Sequence, residues 1–327
     1  MELCAPPGTV AALTELMGPW LRIGPPSVPA VTPSIEVVVE AGPGWASGPP
    51  VIPSALHAGR TGLAQRQPGR LVVHHPHLGA WYVLTPSRLR LGYPAGPDVH
   101  DVCQVLRSVL VELALLRGAR LVHAAVLAVR GHGVALTGPK GAGKTSSVLA
   151  LLQTGATFVS NDKALLWGDV AYGVPQAISA SPWLRESMGG FPEHGSSRVA
   201  GGKELFFPHE MRPPPRTASA VDVEAWFDVR VGRGAAVGLW RLTGPAADAV
   251  DDSLLRFSNA VHGNWVGAAL PAPTTGPGTP TALTRPRWRL RFDPWNPAQR
   301  PAVARALAEA AGASVRPPTT VKISERS

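Results

Sequence analysis

The sequence predicts an α/β protein: a phosphate-loop domain preceded by a smaller β-rich region. Three observations predict it. Residues 138–145 read GPKGAGKT and match G-x-x-x-x-G-K-[ST], with Gly138, Gly143, Lys144 and Thr145 in the fixed positions. The apolar run GVALT precedes them, and SSVLALLQTG follows with Val148, Leu151 and Leu152 at helical spacing and Gly155 as a stop. Residues 35–97 alternate β-branched and aromatic runs with Gly and Pro clusters, the pattern of short strands.

Taken in order, residues 1–34 are Pro-rich with one short apolar stretch, 10–22, and read as a loosely packed segment. The β-rich region spans 35–97, from SIEVVVEAG to AWYVLTPSRLRLGYP. The histidine cluster HHPH at 74–77 lies inside it; without a spaced third ligand, and stiffened by Pro76, it reads as a solvated turn and not a metal site. A helix follows: Asp98 caps it, Val102, Val105, Leu106, Val109, Leu110 and Leu113 keep the 3.6 period, and Gly118 ends it. From this helix to residue 312 runs the phosphate-loop domain, with 313–327 as a tail. Within it RLVHAAVLAV, GVALTG and ATFVSND read as strands, AWFDVRVGRGAAVGLWRL as a strand pair, and RWRLRFDPW as a late strand before a closing helix. The stretch 189–202 is a glycine-rich loop, and 267–285 is low-complexity and reads as a mobile surface loop.

The chain of 327 residues has room for one large or two modest cores. A formal charge of +9 invites a nucleic-acid partner, but the cations are scattered and no basic run carries interleaved aromatics, which argues against one. Cys4 and Cys103 are too few for a disulfide framework. No apolar run is long enough to span a membrane, and the start MELCAPPGTV lacks the pattern of a secretory signal, so a cytoplasmic, membrane-free protein is expected. Lysine occurs only at positions 140, 144, 163, 203 and 322, the other cations being arginine. Four of these five lie around the phosphate loop. Chance would place them so, and so would a phosphate site, because a compact ammonium and a planar guanidinium bind phosphate differently.

The loop's chemistry follows from its residue types. Glycines let successive N–H groups turn inward on a polyphosphate, Lys144 reaches the outer phosphates, and the Thr145 hydroxyl suits Mg²⁺. Gly138, Pro139, Lys140, Gly141, Ala142, Gly143, Lys144, Thr145 and Ser146 are therefore the expected nucleotide contacts.

The wider text, His123 to Asp162, reads HAAVLAVRGHGVALTGPKGAGKTSSVLALLQTGATFVSND. It resembles the core of the HPr kinase/phosphorylase family in its upstream histidine, the Gly131-x-Gly133 turn, the loop, Gly155 and the short run to a polar pair, Asn161-Asp162. The resemblance covers about a third of the chain. It implies a P-loop kinase core related to that of ATP-dependent phosphoenolpyruvate carboxykinase, with ATP and Mg²⁺ as cofactors. It also implies catalytic roles for Lys144, Asp162 and His123, Mg²⁺ held by Thr145 and Asp162, and a peptide or small-molecule hydroxyl as acceptor. Members of that family assemble, so a homo-oligomer is among the expectations. One departure stands out: the family has two adjacent aspartates where this chain has Asn161 followed by Asp162. An amide is no base. Another group takes the hydroxyl proton, or Asp162 has both duties, or transfer is late and needs little help. The same departure argues against the reverse phosphorylase reaction and against a role in sugar regulation; peptide or small-metabolite tailoring fits better.

Further substrate or phosphate contacts are expected at Asn161, Lys163, Arg185, Arg198 and Lys203, the last three flanking the glycine-rich loop. Two rivals to the kinase remain at this stage. One is an ATP-binding sensor or scaffold without catalysis, suggested by Asn161. The other is a nucleic-acid-associated NTPase, suggested by the charge.

Overall fold

The computed structural model describes residues 2–17, 36–41, 52–55, 61–76, 78–193, 197–199, 202–256 and 285–313. It is mixed α/β. The described residues form two compact units, one up to Arg120 and the other from Leu121.

The first unit holds β1 (Glu2–Cys4), α1 (Pro7–Met17), β2 (Glu36–Ala41), β3 (Ile52–Ala55), β4 (Thr61–Gln67), β5 (Arg70–His75), β6 (Ala80–Leu84), β7 (Arg88–Tyr93) and α2 (Val99–Leu116). Its sheet runs β1-β2-β7-β6-β5-β4-β3, antiparallel from β7 to β3 and parallel at β1-β2-β7. Alternation drives it: Val37 and Val39 of β2, and Leu89 and Leu91 of β7, face one core. Leu13 and Met17 of α1 and Val102, Val105, Leu106 and Val109 of α2 close that core.

Three expectations change here. The N-terminal residues are not loosely packed: Thr9, Leu13 and Met17, four apart, bury one face of α1, and β1 pairs with β2. Helix α2 falls within this unit and not the phosphate-loop domain, its apolar stripe sharing one core with Tyr82, Leu84 and Leu91. His74 and His75 end a strand and do not form a solvated turn; His74 stacks on Trp81 at 4.2 Å, and His75 is buried. His77 lies outside the described residues, as do residues 18–35, most of the low-complexity stretch (up to 284) and the tail from 314.

Asp98 caps α2 as expected, accepting from the Asp101 amide at 2.9 Å. Asp101 itself is buried and accepts from the Tyr82 and Tyr93 hydroxyls at 2.5 and 2.7 Å. Burial, and then the charge of Asp101, hold the Tyr93 hydroxyl far above its usual pKa, so it stays protonated and donating. Asp101→Ala strands these donors and is expected to destabilise the protein by about 1–3 kcal/mol per hydroxyl. A thermal melt unchanged from wild type would refute this.

The second unit comprises β8 (Arg120–Val122), β9 (Ala125–Val129), β10 (His132–Thr137), α3 (Lys144–Leu152), β11 (Thr157–Ser160), β12 (Ala164–Trp167), β13 (Val170–Gly173), β14 (Ile178–Ala180), α4 (Pro182–Met188), β15 (Ser197–Val199), β16 (Lys203–Phe206), β17 (Ala220–Val231), β18 (Gly238–Leu242), α5 (Pro245–Arg256), β19 (Arg287–Phe292) and α6 (Arg300–Gly312). The main sheet runs β11-β9-β10-β17-β13-β12-β8, with β19 also on β17 and β18 on β19. A separate small sheet runs β14-β16-β15. The expected pair at 225–242 forms as two strands, but they are not neighbours. β19 lies between them, parallel to β17 and antiparallel to β18.

Strand direction decides where the chemistry goes. β9 is antiparallel to both β10 and β11, so the ends of β10 and β11 lie beside the start of β9. β17 is parallel to β10, with Asp228 opposite Thr137, so its last residues reach the same edge. Alanine-rich α6 packs on β10 and α3, burying Val303, Ala304, Leu307 and Ala311.

Candidate phosphate-loop site

The loop rises from β10 and ends at α3, the context its motif requires. Gly143 precedes the helix with φ 95°, and a Cβ there would lie 2.1 Å from Val231 Cγ2. Only glycine combines that dihedral with that approach. A Cβ on Gly138 would meet Ala142 Cβ at 2.9 Å and Arg230 Nη1 at 3.2 Å. The loop is closed on itself by Ala142 N–H to Pro139 O, 3.1 Å, and tied to β17 by Val231 N–H to Ala142 O, 3.2 Å. Pro139, Lys140 and Gly141 form its exposed crest, while Thr145 and Ser146 lie in the first helical turn. No side chain caps α3, so the positive end of the helix faces the loop without a side-chain acceptor.

Lys144 is 9% exposed and donates from Nζ to Gly138 O at 2.7 Å. Burial lowers its pKa, the carboxylate of Asp162 opposes that fall, and Arg230 adds to it. Across the edge, His123 Nε2 and Asp162 Oδ1 lie 2.7 Å apart. Burial alone would raise the Asp162 pKa. The His123 hydrogen bond and charge, with Lys163 and Lys144, more than offset it, and the carboxyl sits below its usual value. Asp162 is therefore an anion throughout the neutral range, with Oδ1 held by His123.

Asn161, next to it, is buried, and its Oδ1 has no hydrogen-bond partner among the described residues. Lys163 is half-buried beside Asp162, its backbone carbonyl accepting from the Ser160 hydroxyl. The structure thus brings His123, the loop, Lys144 and the segment 161–163 together.

Three other expected contacts come from α4 and the small sheet. Arg185 of α4 donates from Nη1 to Glu204 at 2.7 Å and from Nη2 to Pro192 O at 3.1 Å, and lies over the Phe206 ring. These contacts hold it to its own loop and the small sheet. Arg198 stands opposite Glu204 in the small sheet, and Lys203 is exposed at the start of β16.

The sequence reading missed three residues at the loop. Asp228 of β17 is 3% exposed; its Oδ1 lies 2.7 Å from Arg230 Nη1 and its Oδ2 3.1 Å from Arg289 Nε. Both of its oxygens are engaged in ion pairs. The alternation Asp228-x-Arg230 was the available signal, but nothing local says that β17 lies beside β10.

Among the described residues no group of three or more His, Cys, Asp or Glu side chains is spaced to hold a metal, and no helix is long and apolar enough to cross a membrane. No protein-family model matches the chain, and no curated protein matches it. Among solved structures, the HPr(Ser) kinase/phosphatase from Coxiella burnetii is similar to it, with 12% identity and a TM-score of 0.28. That match covers 60% of this chain and 96% of the other. It is distant, and at that score says nothing of family or activity.

Proposed function

We propose that the second unit is an ATP- and Mg²⁺-dependent kinase that moves a γ-phosphate to a hydroxyl of a peptide or small molecule. The observation that carries the reading is the convergence, at one sheet edge, of a glycine cradle, the buried Lys144 and an Asp162 carboxylate kept ionised by His123.

The residues fit both groups. The cradle accepts only glycine at 143, and the uncapped first turn of α3 supplies N–H groups to phosphate oxygens. Mg²⁺ in such sites is held by one or two protein oxygens plus the phosphates, so the Asp162 carboxylate and the Thr145 hydroxyl would hold it without a three-ligand cluster. When bound, Mg²⁺ neutralises phosphate charge. Lys144 binds the outer phosphates, and His123 orients Asp162. In the reaction the acceptor oxygen forms a bond to the γ-phosphorus, the bond to the β-phosphate oxygen breaks with ADP as leaving group, and the hydroxyl proton passes late to water. Asn161 takes no proton. A loose transition state needs little base, which suits an amide at that position.

Incubating the protein with γ-labelled ATP, Mg²⁺ and host extract is expected to move label to a hydroxyl compound. Asp162→Asn should lower that transfer by on the order of 10²-fold or more, as removal of a group stabilising developing charge does. Because the Asp162 pKa lies below the ordinary carboxylate value, wild-type activity should show no loss from this group between pH 5 and 8. Full activity in Asp162→Asn would sink the Mg²⁺ assignment. Tight ATP binding with no transferred label would favour the sensor reading, which Asn161 alone recommends.

A further inference from the structure

We infer that Arg230 is a second phosphate-binding cation of the loop, directed at the terminal phosphate oxygens of the bound nucleotide and held in place by Asp228. The inference rests on the nucleotide reading of the same site.

Four observations lead to it. Arg230 is the penultimate residue of β17, whose parallel pairing with β10 carries its end under the loop. Its Nη1 lies 3.2 Å from where a Gly138 Cβ would be, the residue whose carbonyl also receives Lys144 Nζ at 2.7 Å. Two cations thus converge on the first residue of the cradle, an arrangement that repels itself and is relieved by an anion between them. Its fixation is one-sided: Nη1 meets Asp228 at 2.7 Å and donates to Val229 O at 3.0 Å, while Nε and Nη2 have no partner among the described residues. The side chain remains 42% exposed, and Nε with Nη2 forms the guanidinium fork that matches two phosphate oxygens at once.

Charge explains why Arg289 joins the group. The single carboxylate of Asp228 meets two guanidiniums, Arg230 and Arg289, and so fixes Arg230 without cancelling the positive field at the loop. Asp228 is a positioning residue; Arg230 makes the contact.

The test uses inorganic tripolyphosphate and ATP as probes, in two arms. In calorimetry, Arg230→Gln is expected to weaken tripolyphosphate binding about 10- to 100-fold, the worth of a charge-assisted contact, with AMP affinity changed little. In wild type, phenylglyoxal modification of Arg230, read by peptide mass spectrometry, is expected to be suppressed by tripolyphosphate and ATP but not by AMP. This arm needs no variant and decides the matter if Arg230→Gln fails to fold. Wild-type binding with Arg230 modified equally in the presence and absence of tripolyphosphate, or unaltered affinity in folded Arg230→Gln, would overturn the assignment. Protection by AMP as strong as by ATP would also overturn it, by placing the contact at the nucleoside end. If the wild type binds neither probe, the nucleotide reading itself falls and takes Arg230 with it.

Discussion

Lys144→Ala is expected to lower phosphoryl transfer by on the order of 10³-fold or more. The ammonium is buried at the start of α3 and directed into the cradle by its contact with Gly138 O. No neighbour can replace it. Lys163 lies beyond Asp162, and Arg230 is tethered to Asp228. Lys144→Arg should rescue poorly, because a planar guanidinium is too long and too wide for a space that encloses a lysine end. Truncation also leaves the Gly138 carbonyl without its donor, so a melting curve must accompany the assay. Saturating-ATP rates compared between wild type, Lys144→Ala and Lys144→Arg check this. A Lys144→Ala rate within a few-fold of wild type would remove the lysine from the reaction.

Gly143→Ala is expected to abolish nucleotide binding while leaving the first unit folded. Two separate costs act. At φ 95° a side chain strains the backbone by about 1–3 kcal/mol, and the new Cβ would overlap Val231 Cγ2 at 2.1 Å. The overlap can be relieved only by moving β17 or the loop, and both carry the site. Adding Val231→Ala removes the overlap but not the dihedral strain, so the double variant should recover part of the stability and part of the binding. Equilibrium ATP titrations and thermal melts of both variants separate the two costs. If Gly143→Ala binds ATP like wild type, the cradle is not the phosphate site.

Much of this site was legible in the residues because its signals are local. GPKGAGKT between an apolar run and a helical period fixes strand, loop and helix within about twenty residues. His123 and Asp162 were singled out by the family resemblance, and antiparallel pairing around β9 brings them into a 2.7 Å contact. What was not legible depends on distant pairing. β17 lies some ninety residues from β10, and its apolar run fits equally well beside any strand of the sheet. Asp228, Arg230 and Arg289 therefore read as ordinary strand charges. α1 was missed for a different reason: its buried face is Thr9, Leu13 and Met17, and a threonine among scattered alanines conceals the period. Arg185 shows the limit of such a signal, since a cation in a glycine-rich neighbourhood looks the same in sequence whether it faces a ligand or its own carbonyls.

The contact between Lys144 and the Gly138 carbonyl has a consequence for how the site fills. The lysine already has a partner, so an arriving anion enters by exchange and not by simple addition. Measured affinity is then the difference between two lysine contacts, and a singly charged anion gains little over the carbonyl it displaces. A polyphosphate, which engages several donors in the same event, gains much more. On the proposed reading the loop would therefore discriminate by valence before any base or acceptor is read.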